Sequence, residues 1–220
     1  MVEAMEAMRY DAMGIGYFDT MVGQEALLQR AGEADFAMVC ANLVSADTQQ
    51  PHFEPYTILE RDGVTFGILG LTNAYTAMGP GFAETAVVTD ASEAARRYVA
   101  ELQPQVDVII VLSLLGLESD MALAAAVPGI SVIVGGNSGR LMQAPTRVEN
   151  TLIVQQGYNG EYMGILRVTL DAAGVPSNYA EILIALGPDY ADDPEMVALM
   201  EEWDRVIPTP TPSAGSDDDC

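Results

Sequence analysis

The run VDVIIVL at residues 106–112 is apolar at all but one position, a pattern that suits a central strand covered on both faces. It follows an amphipathic stretch, 91–102, in which Ala95, Tyr98, Val99 and Leu102 recur at helical spacing, with Asp90 at the N-cap position and Pro104 as a stop. The same alternation runs through the chain. Helices are expected over 1–9, 24–34, 118–126 and 193–206, the last with Asp192 near its cap and Trp203 on its apolar side. Strands are expected over 36–44, 130–134 and 152–155. A hairpin should join 56–61 to 64–71 across Asp62-Gly63, a favoured tight-turn pair, and 162–170 should be able to pair with 179–186. Short β-branched runs interleaved with helices specify an α/β fold.

With 220 residues, half of them hydrophobic, the chain can bury one sizeable core. Its composition lies far from the disordered class, and no apolar run reaches the roughly 18 residues of a spanning helix. The first residues show no basic segment followed by an apolar core, so no export signal is expected there. Thirty-two acids oppose nine bases, all arginine, for a net charge of −23. Such a field repels phosphate backbones, which excludes nucleic acid as a natural partner and disfavours anionic membranes; acidity of this degree also serves solubility alone. Two cysteines cannot build a disulfide framework or a cysteine-rich metal site. Cys40 sits in an apolar run and reads as a small buried hydrophobe, and Cys220 ends an acidic tail.

Beyond residue 206 the sequence changes to IPTPTPSAGSDDDC. Repeated Thr-Pro makes a stiff extended spacer, and the Ser/Gly/Asp end has nothing to bury. The expected organisation is one domain over 1–206 and a Thr/Pro-rich acidic linker or tail over 207–220, leading to a downstream domain. The first helix begins without a capping residue, which suggests a domain truncated at its N-terminus.

Three glycine-bearing loops follow strand-like segments: GIGYFD at 14–19, SLLG at 113–116 and GGNSG at 135–139. Loops at the carboxyl ends of strands are where α/β folds place ligand sites. In this order they resemble the calcineurin-like metallophosphoesterases, and within them the bacterial 5'-nucleotidase branch. Tyr10-Asp11-Ala12-Met13 with Gly16 and Gly23 matches the family stretch YDAxxxGNHEFDxG without a gap; FAMVCANLV at 36–44 matches FPxLSANV. Pro55-Tyr56-Thr57-Ile58 and VTFGILGLT at 64–72 match PYxIxxxxGxKxGxIGLT. DVIIVLSLLG at 107–116 resembles DxIIxLSHLG, ISVIVGGNSG at 130–139 resembles IDxIxGGHSH, and QQGYNGEYMGILRV at 155–168 resembles QAGxxGxxLGxLxL. The resemblance covers about residues 1–206. It implies a layered β-sheet sandwich flanked by helices (αββα), with the family's N-terminal strands and their DxH and GDxxD motifs falling before Met1. It also implies a phosphohydrolase of the exported class.

The departures decide the expected function. The family holds two divalent metal ions between Asp, Asn and His side chains, and these activate water for attack on phosphorus. The Asn and His of GNHE fall on Tyr17 and Phe18, its Glu on Asp19, the His of SHLG on Leu114, and the two His of GGHSH on Asn137 and Gly139. Phe, Leu and Gly carry no side-chain donor for a cation, and neutral Tyr is a poor one. No metal cofactor and no catalytic residue are therefore expected. The former site should be a dry, uncharged hollow whose small-molecule ligand is unknown.

The remaining candidates are thin. His52, the only histidine, reads as a solvent-facing loop residue. Asp19, Asn73, Glu118, Asp120 and Asn137 could offer oxygen ligands on one sheet edge, but helix capping and first-turn charge account for the acids. Ser113 and Ser138 lack a neighbouring histidine and a nucleophile elbow. The expectation is a degenerate binding or structural module; the alternative is a fragment or subunit of an active phosphoesterase whose missing ligands come from elsewhere.

Overall fold

A computed structural model describes residues 1–171 and 174–206. The linker expected over 207–220, with Cys220, lies outside them. In chain order the elements begin with α1 (Val2–Ala7), β1 (Ala12–Gly14), α2 (Tyr17–Thr20), α3 (Gln24–Glu33), β2 (Ala37–Val39) and β3 (Leu43–Ser45). There follow β4 (Tyr56–Arg61), β5 (Val64–Leu71), a 3-10 turn (Ala74–Met78), α4 (Phe82–Thr85), β6 (Ala86–Val88) and α5 (Ala91–Leu102). The second half comprises β7 (Val108–Ser113), α6 (Leu117–Ala126), β8 (Val132–Gly135), β9 (Thr146–Val148), β10 (Thr151–Val154), β11 (Tyr162–Leu170), β12 (Pro176–Ala185) and α7 (Pro194–Val206).

The architecture is the expected layered α/β sandwich. One layer is a six-stranded mixed sheet in the order β4-β5-β7-β8-β10-β9, in which β5, β7, β8 and β10 run parallel and β4 and β9 are antiparallel edges. Its apolar core joins the sheet to α5 and α6 through Leu69, Val99, Leu102, Val111, Leu123 and Ile133. The second layer is the parallel pair β1-β2, with a separate core formed with α3 and α4 around Ile15, Leu27, Met38, Leu43 and Phe82.

Glycine lets the two sheets meet at backbone distance. A Cβ on Gly70 of β5 would stand 2.1 Å from the Val39 carbonyl oxygen, and one on Gly14 of β1 would stand 3.2 Å from Leu112 Cβ of β7. Ala41 N–H donates to the Gly70 carbonyl across this junction at 2.8 Å. The small sheet is thereby seated over β5 and β7, which brings the carboxyl ends of β1, β5, β7 and β8 together.

The strand expected over 36–44 is two short strands, β2 and β3. The interruption belongs to Asn42, fully buried, whose side chain accepts from Thr72 N–H at 2.8 Å and donates to the carbonyls of Thr72 at 2.9 Å and Thr89 at 3.2 Å. The buried amide is thereby fully paired, and it ties the end of β5 and Thr89 to the point where the strand stops. The 56–61/64–71 hairpin forms as expected, Asp62 and Gly63 both taking positive φ. Asp90 caps α5 by accepting from Glu93 N–H at 2.7 Å, and β11 pairs antiparallel with β12. Asp193, rather than Asp192, accepts from the first N–H groups of α7.

Candidate functional site

Four loops converge at the carboxyl end of the sandwich, and Leu114 lies among them. It begins the loop after β7, where its N–H donates to the Leu71 carbonyl at 2.9 Å and its own carbonyl accepts from Asn73 Nδ2 at 2.7 Å. Its side chain fills the space that three glycines leave open. A Cβ on Gly14 or Gly16 would lie 3.6 Å or 2.5 Å from a Leu114 methyl carbon, and one on Gly136 would lie 3.8 Å from Leu114 Cγ. The three glycine-bearing loops lie side by side, and a hydrocarbon side chain joins them. Tight packing, rather than an open hollow, occupies this junction.

Tyr17, Phe18 and Asp19 stand together on the single turn of α2. Asp19 Oδ2 accepts from Gly16 N–H at 2.8 Å, so the carboxylate caps the start of its own helix. Burial raises the Asp19 pKa, with the Gly16 bond opposing the shift. Phe18 is turned outward, 85% exposed, with its ring against Tyr17. It therefore does not join Leu114 in a common hollow, as expected from the alignment of motifs; one turn of helix points successive side chains in different directions.

Asn137 sits at a left-handed φ of 66° in the exposed part of the β8–β9 loop. Gly139 also has positive φ and faces Tyr158 rather than Leu114. Between them, Ser138 donates to buried Gln155 Oε1 at 2.7 Å. Asn73 spends its side chain on Leu114 and on Tyr75 N–H, capping the 3-10 turn. Glu118 is exposed in the first turn of α6. Among the described residues, no three His, Cys, Asp or Glu side chains gather closely enough to hold a metal ion. The donor set does not fit a dinuclear centre.

His52 lies elsewhere and is not solvent-facing. It is half-buried, with its ring edge-on to Phe82 at 5.5 Å. Burial lowers its pKa, against a hydrogen bond to the Thr85 backbone.

Asp120 is the residue that sequence reasoning undervalued. It is fully buried, its Oδ1 accepts a hydrogen bond from the Ser113 hydroxyl, and its Oδ2 has no hydrogen-bond partner among the described residues. A Cβ on Gly135 would meet that oxygen at 2.7 Å. The pair lies directly behind the loop carrying Leu114 and ties the ends of β7 and β8 to α6. Burial pushes the Asp120 pKa up to about 6, the Ser113 bond pulling the other way. Its spacing from Leu117, Leu123 and Ala124 puts it on the inner face of the helix, a signal present in the sequence.

No family profile matches the chain. A 5'-nucleotidase of Diplobatis ommata is 28% identical over 227 residues, covering 92% of this chain and 39% of its own length. The solved 5'-nucleotidase precursor of Thermus thermophilus superposes with a TM-score of 0.84 at 30% identity, over 94% of this chain and 45% of that one. The calcineurin-like phosphoesterase YfkN of Bacillus subtilis, at 21% identity and a TM-score of 0.79 over 93% of this chain and 72% of that one, shares the fold. The chain spans at most about two fifths of the length of the curated relatives it matches.

Proposed function

From the premise that this chain belongs to the calcineurin-like metallophosphoesterases and resembles their 5'-nucleotidase branch, we propose that it is a degenerate domain of that kind, acting as a binding or structural module without phosphohydrolase activity. The observation that carries this reading is Leu114 packed against Gly14, Gly16 and Gly136. Two-metal hydrolysis requires lone pairs converging on both cations. Here hydrocarbon holds the loops together, Phe18 faces outward and Gly139 has no side chain. Asp19 is committed to the Gly16 N–H.

The junction is stable without a cation for the same reason. Withdrawing the cations from a carboxylate-rich site leaves charges to be solvated, whereas a leucine side chain needs no counter-ion. The acidic Thr/Pro-rich segment over 207–220 suits a linker between this module and a downstream domain.

Turnover of p-nitrophenyl phosphate with Mn2+ or Co2+ tests the reading: no metal-dependent rate above the metal-only blank is expected, and a saturable rate would overturn it. A second reading rests on the share of its relatives that the chain spans. The domain would then be part of an active metal-dependent phosphoesterase, hydrolysing nucleotides or other phosphate esters with ligands contributed from outside these residues. Activity that appears only in a longer protein or a two-chain complex favours that reading.

A further inference from the structure

Ser113 of β7, Gly135 of β8 and Gln155, which follows β10, stand in a row across three neighbouring strands on the sheet face that α6 covers. Ser113 pairs with Gly135, and Val154 with Val134, in the parallel ladders. Val111, Ile133 and Ile153, two residues before each, belong to the core shared with Leu123 of α6, and residues two apart in a strand share a face. Gly135 contributes no side chain to the row, and Asp120 of α6 reaches into the space it leaves. A Cβ there would meet Asp120 Oδ2 at 2.7 Å and the Val154 carbonyl oxygen at 3.5 Å.

Two polar atoms in this row are closed to solvent and unpaired. Gln155 is 1% exposed and Asp120 fully buried, and neither Gln155 Nε2 nor Asp120 Oδ2 has a hydrogen-bond partner among the described residues. One is a donor and the other an acceptor. Their companion atoms are committed elsewhere. Gln155 Oε1 accepts from the Ser138 hydroxyl at 2.7 Å, and Asp120 Oδ1 accepts from the Ser113 hydroxyl, whose oxygen accepts from Leu115 N–H at 3.2 Å. Oδ2 stands over Gly135, one strand away from Gln155. Neighbouring strands lie about 4.8 Å apart, a gap that one water spans with two hydrogen bonds of about 2.8 Å. Buried polar groups are as a rule paired, by protein or by ordered water.

We propose that a single internal water bridges Gln155 Nε2 to Asp120 Oδ2 over Gly135. It completes a hydrogen-bonded chain from Leu115 through Ser113, Asp120 and Gln155 to Ser138. The chain couples the 113–116 loop to the 135–139 loop on the helix side of the sheet, behind the contacts that Leu114 makes with the glycines. It does not depend on the proposed loss of activity, because none of its members stands at a metal-ligand position of the family motifs.

Water-selective NMR on the full 15N-labelled chain tests the proposal. The Gln155 side-chain amide, assigned by its disappearance in Gln155→Met, should show direct cross-relaxation with a water held longer than the protein takes to tumble. A crystal structure should place one water about 2.7–3.2 Å from both atoms. Gly135→Ala sets a methyl against Asp120 Oδ2 and should abolish the water signal. A water that donates to Oδ2 favours the carboxylate, so Gln155→Met, which loses it, should raise the Asp120 titration midpoint read by carboxyl carbon NMR, with about threefold tighter proton binding. No water signal in the wild-type chain, a direct Gln155–Asp120 hydrogen bond, a signal that survives Gly135→Ala, or an unmoved midpoint in Gln155→Met overturns the proposal.

Discussion

The Ser113 hydroxyl donates to the buried Asp120 carboxyl, leaving the second carboxyl oxygen facing Gly135 with no donor among the described residues. The folded protein therefore holds a proton on Asp120 more tightly than the unfolded chain does, about 6 against an ordinary 3.8. A raised carboxyl contributes its full stability below about pH 4 and loses it as pH climbs towards 6. A shift of about two units corresponds to roughly 3 kcal/mol. Asp120→Asn should flatten urea stability across that window and make the variant more stable relative to wild type at pH 7.5 than at pH 4. Parallel pH profiles in both proteins would contradict the assignment.

His52 pulls in the opposite direction. Its pKa is lowered below the ordinary 6.5, so the unfolded chain takes up the proton first. Its contribution is complete above that value and is lost as pH falls from about 6.5 through the folded pKa. The single imidazole can be followed by proton NMR without assignment. A titration midpoint under 6.5 is expected, and a midpoint at or above 6.5 would mean that the ring is not held against Phe82.

Gly70 tests the seating of the two layers. An added methyl would overlap the Val39 carbonyl, backbone rather than a side chain that can swing away. Gly70→Ala should cost about 1–3 kcal/mol, the usual range for overpacking. Chemical denaturation measures it; a loss under about 0.5 kcal/mol would show the sheets are further apart.

Leu114 is half-buried, so truncation should cost less than the 2–5 kcal/mol of a fully buried leucine. About 1–2 kcal/mol is expected for Leu114→Ala. Leu114→His should lose similar stability and gain no metal affinity, since Phe18 and Gly139 still supply no donor. Micromolar Mn2+ binding by that variant would show that the other loops are better ligands than their residues suggest.

Much of this arrangement was legible before the structure. The run at 106–112, the helix after Asp90 and the Asp62-Gly63 hairpin follow local rules of burial, capping and turn chemistry, and each forms nearly where those rules put it. The order of the glycine loops pointed to the family resemblance that the relatives bear out. Side-chain direction was not legible. Phe18 and Leu114 read alike as apolar replacements, yet one faces outward and the other fills three glycine contacts, because tertiary position decides which loop atoms meet. The break at Asn42 and the depth of His52 depend on partners more than 25 residues away, Thr72 and Phe82, which no local pattern reveals. Asp120 was visible by its spacing and was assigned a first-turn role that its burial overrides.

Calorimetric titration of the purified chain with Mn2+ at neutral pH tests the proposed loss of the dinuclear site most directly. Heats indistinguishable from dilution at micromolar metal are predicted, because a leucine methyl, an outward phenyl ring and a glycine offer no electron pair. A steep isotherm with a stoichiometry near two would contradict the account.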